Sequence, residues 1–259
     1  MKPPPPLFSH PPLPIADDTW LIRHLHETAS GPLPVSSLLV LGAQPTIVDT
    51  GARCNREQWL ADVLGLVDPG DVRWVVVSHD HADHDGNLEA VLDACPRATL
   101  VISRALLPRL ALRVAVPGER CLLVDDGESF DAGDRRFLAL RPPVYDSAAT
   151  RGLLDSATGV YWAVDAWGAV TGEAAADAAD VDSAAWRDAL TAFAHATAPW
   201  LADVDPGRWH AAVDAVAALR PAVIAPAHGP VVGAERVAEA VAVLREAARR
   251  VSPEAHIPG

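Results

Sequence analysis

The chain has 259 residues, 50% of them hydrophobic and 21% charged, with 21 Lys+Arg against 34 Asp+Glu and a formal charge of −13. This composition supplies a sizeable core and excludes wholesale disorder. An acidic surface repels nucleic-acid backbones and anionic lipid, so neither nucleic acid nor a membrane is an expected partner.

Residues 1–14 contain seven prolines, which block helix and sheet hydrogen bonding. They read as an extended N-terminal arm, with residues 15–259 forming a single domain. From Trp20 onward short apolar runs at 20–25, 37–41, 46–49 and 74–78 predict strands, while 56–66 and 86–95 carry apolar residues at helical spacing. Further strands are expected at 99–102, 121–124 and 137–140, a helix at 104–112, and two strands around the turn at 155–159. The alanine-rich last third predicts helices over 183–198, 206–219 and 234–250, with a strand at 222–225 between the last two. The acidic, alanine-rich stretch 172–185 has little to bury and reads as a linker or lid. No fixed-period repeat and no Gly-x-Gly-x-x-Gly after the first strand are present, so two mixed sheets covered by helices suit the pattern better than a dinucleotide fold.

Cys54, Cys95 and Cys121 stand far apart without a C-x-x-C pair, which fits a reduced, cytoplasmic protein. No segment has the pattern of a signal peptide or a membrane span. Neither Cys54 nor Cys95 has the neighbours of a nucleophile, and thiol catalysis is not expected.

The chemistry concentrates in Ser78-His79-Asp80-His81-Ala82-Asp83-His84-Asp85-Gly86-Asn87, between an apolar strand and a helix. Imidazoles and carboxylates at this density can hold one or two transition-metal ions; the alternative is a charged surface turn. Asp80 and Asp85 are expected to brace the loop, or to orient an imidazole through its other nitrogen. His10, His24, His26, His195, His210 and His256 read as ordinary surface or core histidines. Tyr145 and Trp167 are expected to pack beside the site, and Arg151 to form a surface salt bridge.

His79-x-His81-x-Asp83-His84 after a strand resembles the metal signature of the metallo-β-lactamase superfamily, and Val48-Asp49-Thr50-Gly51 resembles that superfamily's second-strand ending. The resemblance implies an α/β (α+β) fold, a four-layer αββα sandwich with a dinuclear site at one edge of its sheets. It also implies three ligands from later loops. Asp165, in Ala163-Val164-Asp165-Ala166-Trp167-Gly168, is the implied bridging carboxylate, and His228, in Ala227-His228-Gly229, the last histidine. No histidine lies between His84 and His195, and Asp146 takes the intermediate place.

The segments 141–147 and 154–168 are most similar to the flavodiiron branch and its stand-alone oxygen-binding di-iron members. That branch often has a carboxylate where this chain has His81, and a histidine where it has Asp146, so the two exchanges compensate. The implied first metal has His79, His81, Asp146 and Asp165, the second Asp83, His84, His228 and Asp165, with Asp83 and Asp165 also the implied catalytic carboxylates. Added oxygen ligands favour iron, with zinc or manganese as alternatives. The resemblance implies di-iron oxidoreductase or oxygen-binding chemistry on dioxygen or another small molecule. With no flavin-binding loop in the sequence, electrons would come from a separate reductase. A metal-dependent hydrolase of an ester, thioester, lactone or phosphoester is the competing expectation, and a catalytically idle scaffold the third. Oligomeric state is not legible.

Overall fold

The protein is described here by a computed structural model covering residues 10–28, 31–116, 118–171 and 175–248. Most of the proline arm, the start of the expected lid and the end of the last expected helix lie outside the described residues.

Strands β1 (Leu13–Ala16), β2 (Thr19–Thr28), β3 (Gly31–Val40), β4 (Thr46–Val48), β5 (Trp74–Val76), β6 (Thr99–Ile102) and β7 (Cys121–Leu123) form one sheet in that order. Strands β8 (Ser129–Asp131), β9 (Arg136–Leu140), β10 (Gly152–Asp155), β11 (Val160–Val164) and β12 (Val223–Pro226) form the second, ordered β12-β11-β10-β9-β8. Pairing in the first sheet is antiparallel up to β4 and parallel beyond it. In the second only β11 and β12 run parallel. The helices are α1 (Arg56–Leu64), α2 (Leu88–Ala94), α3 (Leu107–Leu110), α4 (Ser183–Thr197), α5 (Pro206–Ala218) and α6 (Val237–Ala247).

Side-chain alternation explains the layering. In β11, Val160, Trp162 and Val164 face the inter-sheet core with Val48, Val76, Val101, Phe137 and Ala225. Tyr161 and Ala163 point the other way, into the layer built by Trp186, Leu190, Trp209, Val213 and Leu244 of α4, α5 and α6. On the outer face of the first sheet, Trp59 and Val63 of α1 pack with Leu88 and Val91 of α2 against Ile47, Val75 and Leu100. Burial on both faces is why these strands read as continuous apolar runs. The result is the expected αββα sandwich. Among the described residues no helix is long and apolar enough to cross a membrane.

Local expectations needed correction in five places. The arm ends before residue 13, because Leu13 and Pro14 begin β1, an edge strand whose outer side tolerates a residue with no N–H. The hairpin of β2 and β3 is longer than its apolar runs suggest, and takes in Pro32 and Pro34. Strand β8 was not anticipated, and the helix expected over 104–112 is a short turn, α3. The described end of the expected lid is ordered by two aspartates: Asp177 accepts from Ala179 N, and Asp182 caps α4 by accepting from Ala184 N and Ala185 N.

Candidate metal centre

The turns after β4, β5, β11 and β12, and the connection from β9 to β10, open at the same edge of the two sheets. Thr50 ties the first of these turns to the second, its N–H and hydroxyl both donating to His84 O at 2.6 and 3.1 Å. Asn87 Nδ2 donates back to Thr50 O at 2.7 Å. On the other sheet Ala227 N donates to Val164 O and Ala169 N to His228 O, pinning the turn that carries Asp165 to the one that carries His228. Val164 has φ +56° and Trp167 +61°. Left-handed backbone at a β-branched residue costs on the order of 1–3 kcal/mol, and it persists here where it aims Asp165.

All seven expected ligands meet. His79 Nε2 lies 3.7 Å from Asp146 Oδ1 and 3.6 Å from Asp165 Oδ2, and His81 Nδ1 lies 3.1 Å from Asp146 Oδ2. On the other side, His84 Nε2 is 3.7 Å from Asp83 Oδ2 and 3.3 Å from Asp165 Oδ1, and His228 Nε2 is 3.5 Å from Asp83 Oδ2 and 3.1 Å from Asp165 Oδ1. Asp165 therefore offers one oxygen to each of two donor groups. Nε2 of His79 and both oxygens of Asp165 are buried without a hydrogen-bond partner. Such atoms cost about 1–3 kcal/mol each unless something else satisfies them.

The tautomers follow from what the other ring nitrogens touch. His228 Nδ1 is 2.8 Å from the Pro34 carbonyl, which can only accept, so Nδ1 carries a proton and Nε2 is the nitrogen left to act as a ligand. His84 Nδ1 donates to Asp49 Oδ2 at 2.8 Å. The Ser78 hydroxyl donates to the same oxygen at 2.7 Å, leaving its own lone pair to accept from His79 Nδ1 at 3.1 Å. Three Nε2 atoms are thereby turned toward the centre.

Burial and its histidine neighbour His84 push His79 down to about 4 despite the nearby carboxylates. Burial also opposes charge at His84 and Asp165, yet their neighbours win. Asp49, Asp83 and Asp165 hold His84 well above its ordinary value, while His228 and His84 hold Asp165 well below. Burial pushes Asp83 up, but His84 and His228 bring it below the usual carboxylate value. His81 is raised first by its hydrogen bond to Asp146. These carboxylates stabilise positive charge in their midst, and any cation there competes with the His84 proton.

Access is one-sided. The side chains of His79, His84, Asp165 and His228 are at most 5% exposed, whereas His81 is 46% and Asp146 26% exposed. Phe193 of α4 covers the closed side, its ring centroid 5.2 Å from that of His228. A Cβ on Gly168 would sit 2.5 Å from the Phe193 ring, so the close approach requires glycine there.

Several surrounding residues were not legible as functional. Asp49 is fully buried and accepts from Ser78 N (2.7 Å), Ser78 Oγ, His84 Nδ1 and Trp162 Nε1 (3.0 Å). That role replaces the one expected of Asp80 and Asp85, neither of which orients an imidazole. Asp80 instead pairs with Arg109 Nε at 2.7 Å and accepts from Ser147 Oγ at 3.1 Å, tying the histidine loop to the Asp146 connection. Asp85 pairs with Arg113. Trp167 is buried as packing, donating to Ala240 O. Arg151 donates chiefly to the carbonyls of Thr150 and Ala148, with Asp125 at 3.5 Å.

Gly229, beside His228, has φ +112°, and a Cβ there would lie 2.2 Å from Ala169 O. Gly229→Ala should destabilise the protein by about 2–4 kcal/mol in chaotrope unfolding. Unchanged stability would show that this turn yields freely.

Residues 30–143 match the family model of the metallo-beta-lactamase superfamily. Diflavin flavoprotein A 1 of Synechocystis sp. is 29% identical over 134 residues, 51% of this chain and 23% of that protein. Nitric oxide reductase of Moorella thermoacetica is 23% identical over 128 residues, 48% of this chain and 32% of that protein. The solved structure of rubredoxin oxygen:oxidoreductase from Desulfovibrio gigas superposes with a TM-score of 0.78 at 18% identity, covering 92% of this chain and 62% of that one. The matches thus span at most a third of these curated relatives. With the sandwich, its His/Asp edge and these likenesses together, the chain carries a match to the metallo-β-lactamase superfamily over residues 30–143 and has the fold of the β-lactamase-like domain of flavodiiron proteins.

Proposed function

We propose that the domain holds two metal ions, with iron favoured, and serves the reduction of dioxygen or nitric oxide using electrons from a separate donor. The observation that carries this reading is Asp165, whose two orphaned oxygens face two separate donor groups. The donor chemistry fits the metal: His79, His81, Asp146 and Asp165 on one side, Asp83, His84, His228 and Asp165 on the other. The exchanged pair His81 and Asp146 falls within a single group, so four imidazoles and three carboxylates are kept in total. Three carboxylates offset most of the charge of two divalent cations, and hard oxygen donors suit iron.

When bound, the metal pair would take up the donor's electrons, pass them to the reactant and offer it a place to bind. The chain's own residues hold Nε2 lone pairs in place through Asp49, Ser78 and the Pro34 carbonyl, and keep water off the His228 side through Phe193. Among the described residues the His81–Asp146 side is the more open one, with Asp83 partly exposed on the other, and this limited access suits a small diatomic reactant better than a bulky ester. The relatives' names, a nitric oxide reductase and an oxygen oxidoreductase, support the same class.

Purification without added metal or chelator, followed by metal mass spectrometry and Mössbauer spectroscopy, tests the reading. Iron in both sites, with dioxygen or nitric oxide consumed when a chemical reductant is supplied, is the expected result. Zinc in both sites with turnover of a thioester or phosphoester would overturn it in favour of the hydrolase.

A further inference from the structure

A second cavity of about 480 Å³ lies between α5 and the C-terminal end of strand β9. Its walls are Leu140, Tyr145, Trp200 and Trp209, with Arg141 and Arg208 beside them. The rings form a connected set: Tyr145 and Trp200 have centroids 4.9 Å apart, and Trp200 and Trp209 6.5 Å. Trp200 Nε1 donates to Tyr145 O at 2.9 Å, which fixes the wall to the residue next to Asp146.

Charge there runs against the molecule as a whole. In a chain of net charge −13, two guanidinium groups line this cavity against one carboxylate, Asp126. Neither Arg141 nor Arg208 forms an ion pair among the described residues. Arg141 instead lies over the Tyr145 ring, 5.4 Å from its centroid, and Asp126 accepts from the Arg141 backbone N–H. A further polar group is unsatisfied nearby. The Tyr161 hydroxyl is buried without a partner and would lie 2.9 Å from a Cβ on Gly152, the residue that pairs with Leu140 in the cavity wall.

We propose that this cavity binds a fused-ring aromatic anion, with its rings among Tyr145, Trp200 and Trp209 and its acidic group toward Arg141 and Arg208. The volume lies within the range of small-molecule sites, which are mostly apolar with a few converging polar groups. Flat apolar walls select a flat apolar body, and guanidinium groups recognise carboxylate and sulfonate by paired hydrogen bonds. The assignment does not depend on which metal fills the centre.

The test is calorimetric titration of the full chain with 2-naphthoate, alongside the uncharged 2-naphthalenemethanol. A dissociation constant below about 1 mM is expected for the acid, in keeping with the efficiency of small ligands, and binding at least about tenfold weaker for the alcohol. The double variant Arg141→Gln/Arg208→Gln should lose about the same factor for the acid. Ala212→Trp fills the cavity from an exposed position on α5 and should abolish binding of both. Failure of wild-type protein to bind, equal affinity for acid and alcohol, or binding unaffected by Ala212→Trp would each overturn the proposal. So would sedimentation showing that Ala212→Trp dissociates a self-associated form that excludes naphthoate, because the occupant would then be a second copy of the chain.

Discussion

Asp165→Asn is expected to strip metal from both positions at once, weakening retention by roughly 100-fold or more, whereas substitutions elsewhere in the centre should act on one position each. The reason is geometric. Asp165 Oδ2 faces His79 at 3.6 Å, and Oδ1 faces His84 at 3.3 Å and His228 at 3.1 Å. An asparagine preserves the shape but replaces a charged oxygen with an amide nitrogen that can donate and not ligate. Groups that merely hold a ligand in place already account for about 10–100-fold in affinity, so loss of a shared ligand should do at least as much. Asp146→Asn should empty only the group containing His79 and His81, and His228→Gln only the group containing Asp83 and His84. Metal counted by mass spectrometry after equal dialysis distinguishes the patterns. Full occupancy in Asp165→Asn would defeat the bridging assignment.

Asp49→Ala is expected to cost about 3–5 kcal/mol of stability even with metal removed by a chelator. This buried carboxylate accepts from four donors: the Ser78 N–H and hydroxyl, His84 Nδ1 and Trp162 Nε1. Deleting it leaves all four in a site that water does not reach, together with a histidine that Asp49 helps to keep charged. For a chain of this length, such a loss lowers the melting temperature by roughly 6–20 °C. Asp49→Asn separates the contributions. Asparagine tolerates the φ of +59° at this position, but turns an NH₂ toward donors or places its single oxygen against only some of them. It should be destabilised less than alanine and should still retain metal poorly, because His84 would lose its fixed tautomer. A calorimetric melt of Asp49→Asn or Asp49→Ala matching wild type would show that the hub carries no weight.

The histidine loop was legible because its chemistry is local: His79, His81, Asp83 and His84 fall within six residues, between a strand and a helix that periodicity alone predicts. The apolar runs before Asp165 and His228 were legible as strands, but those two residues were singled out only by what the family resemblance implies. Resemblance to a known family then assembled the set, including Asp146 in a histidine's place.

What surrounds the ligands was settled at longer range. Asp49 reaches His84 across 35 positions, and the Pro34 carbonyl reaches His228 across 194. Backbone carbonyls carry no sequence signal at all. Asp80 and Asp85 looked suited to orienting imidazoles, but α3 and the turn after it bring Arg109 and Arg113 within reach, and a full opposite charge outcompetes a neutral ring. Phe193 on α4 and Gly168 form the closed wall only because the α4–α6 layer packs over the second sheet. Residue order alone carries the strand and helix alternation, the inventory of candidate ligand side chains and the acidic character. Tertiary structure alone decided which oxygen of Asp165 faces which donors, which nitrogen of each histidine points inward, and which side of the centre stays open. Those features depend on groups distant in the chain competing for the same few buried hydrogen bonds, a contest that spacing and composition do not encode.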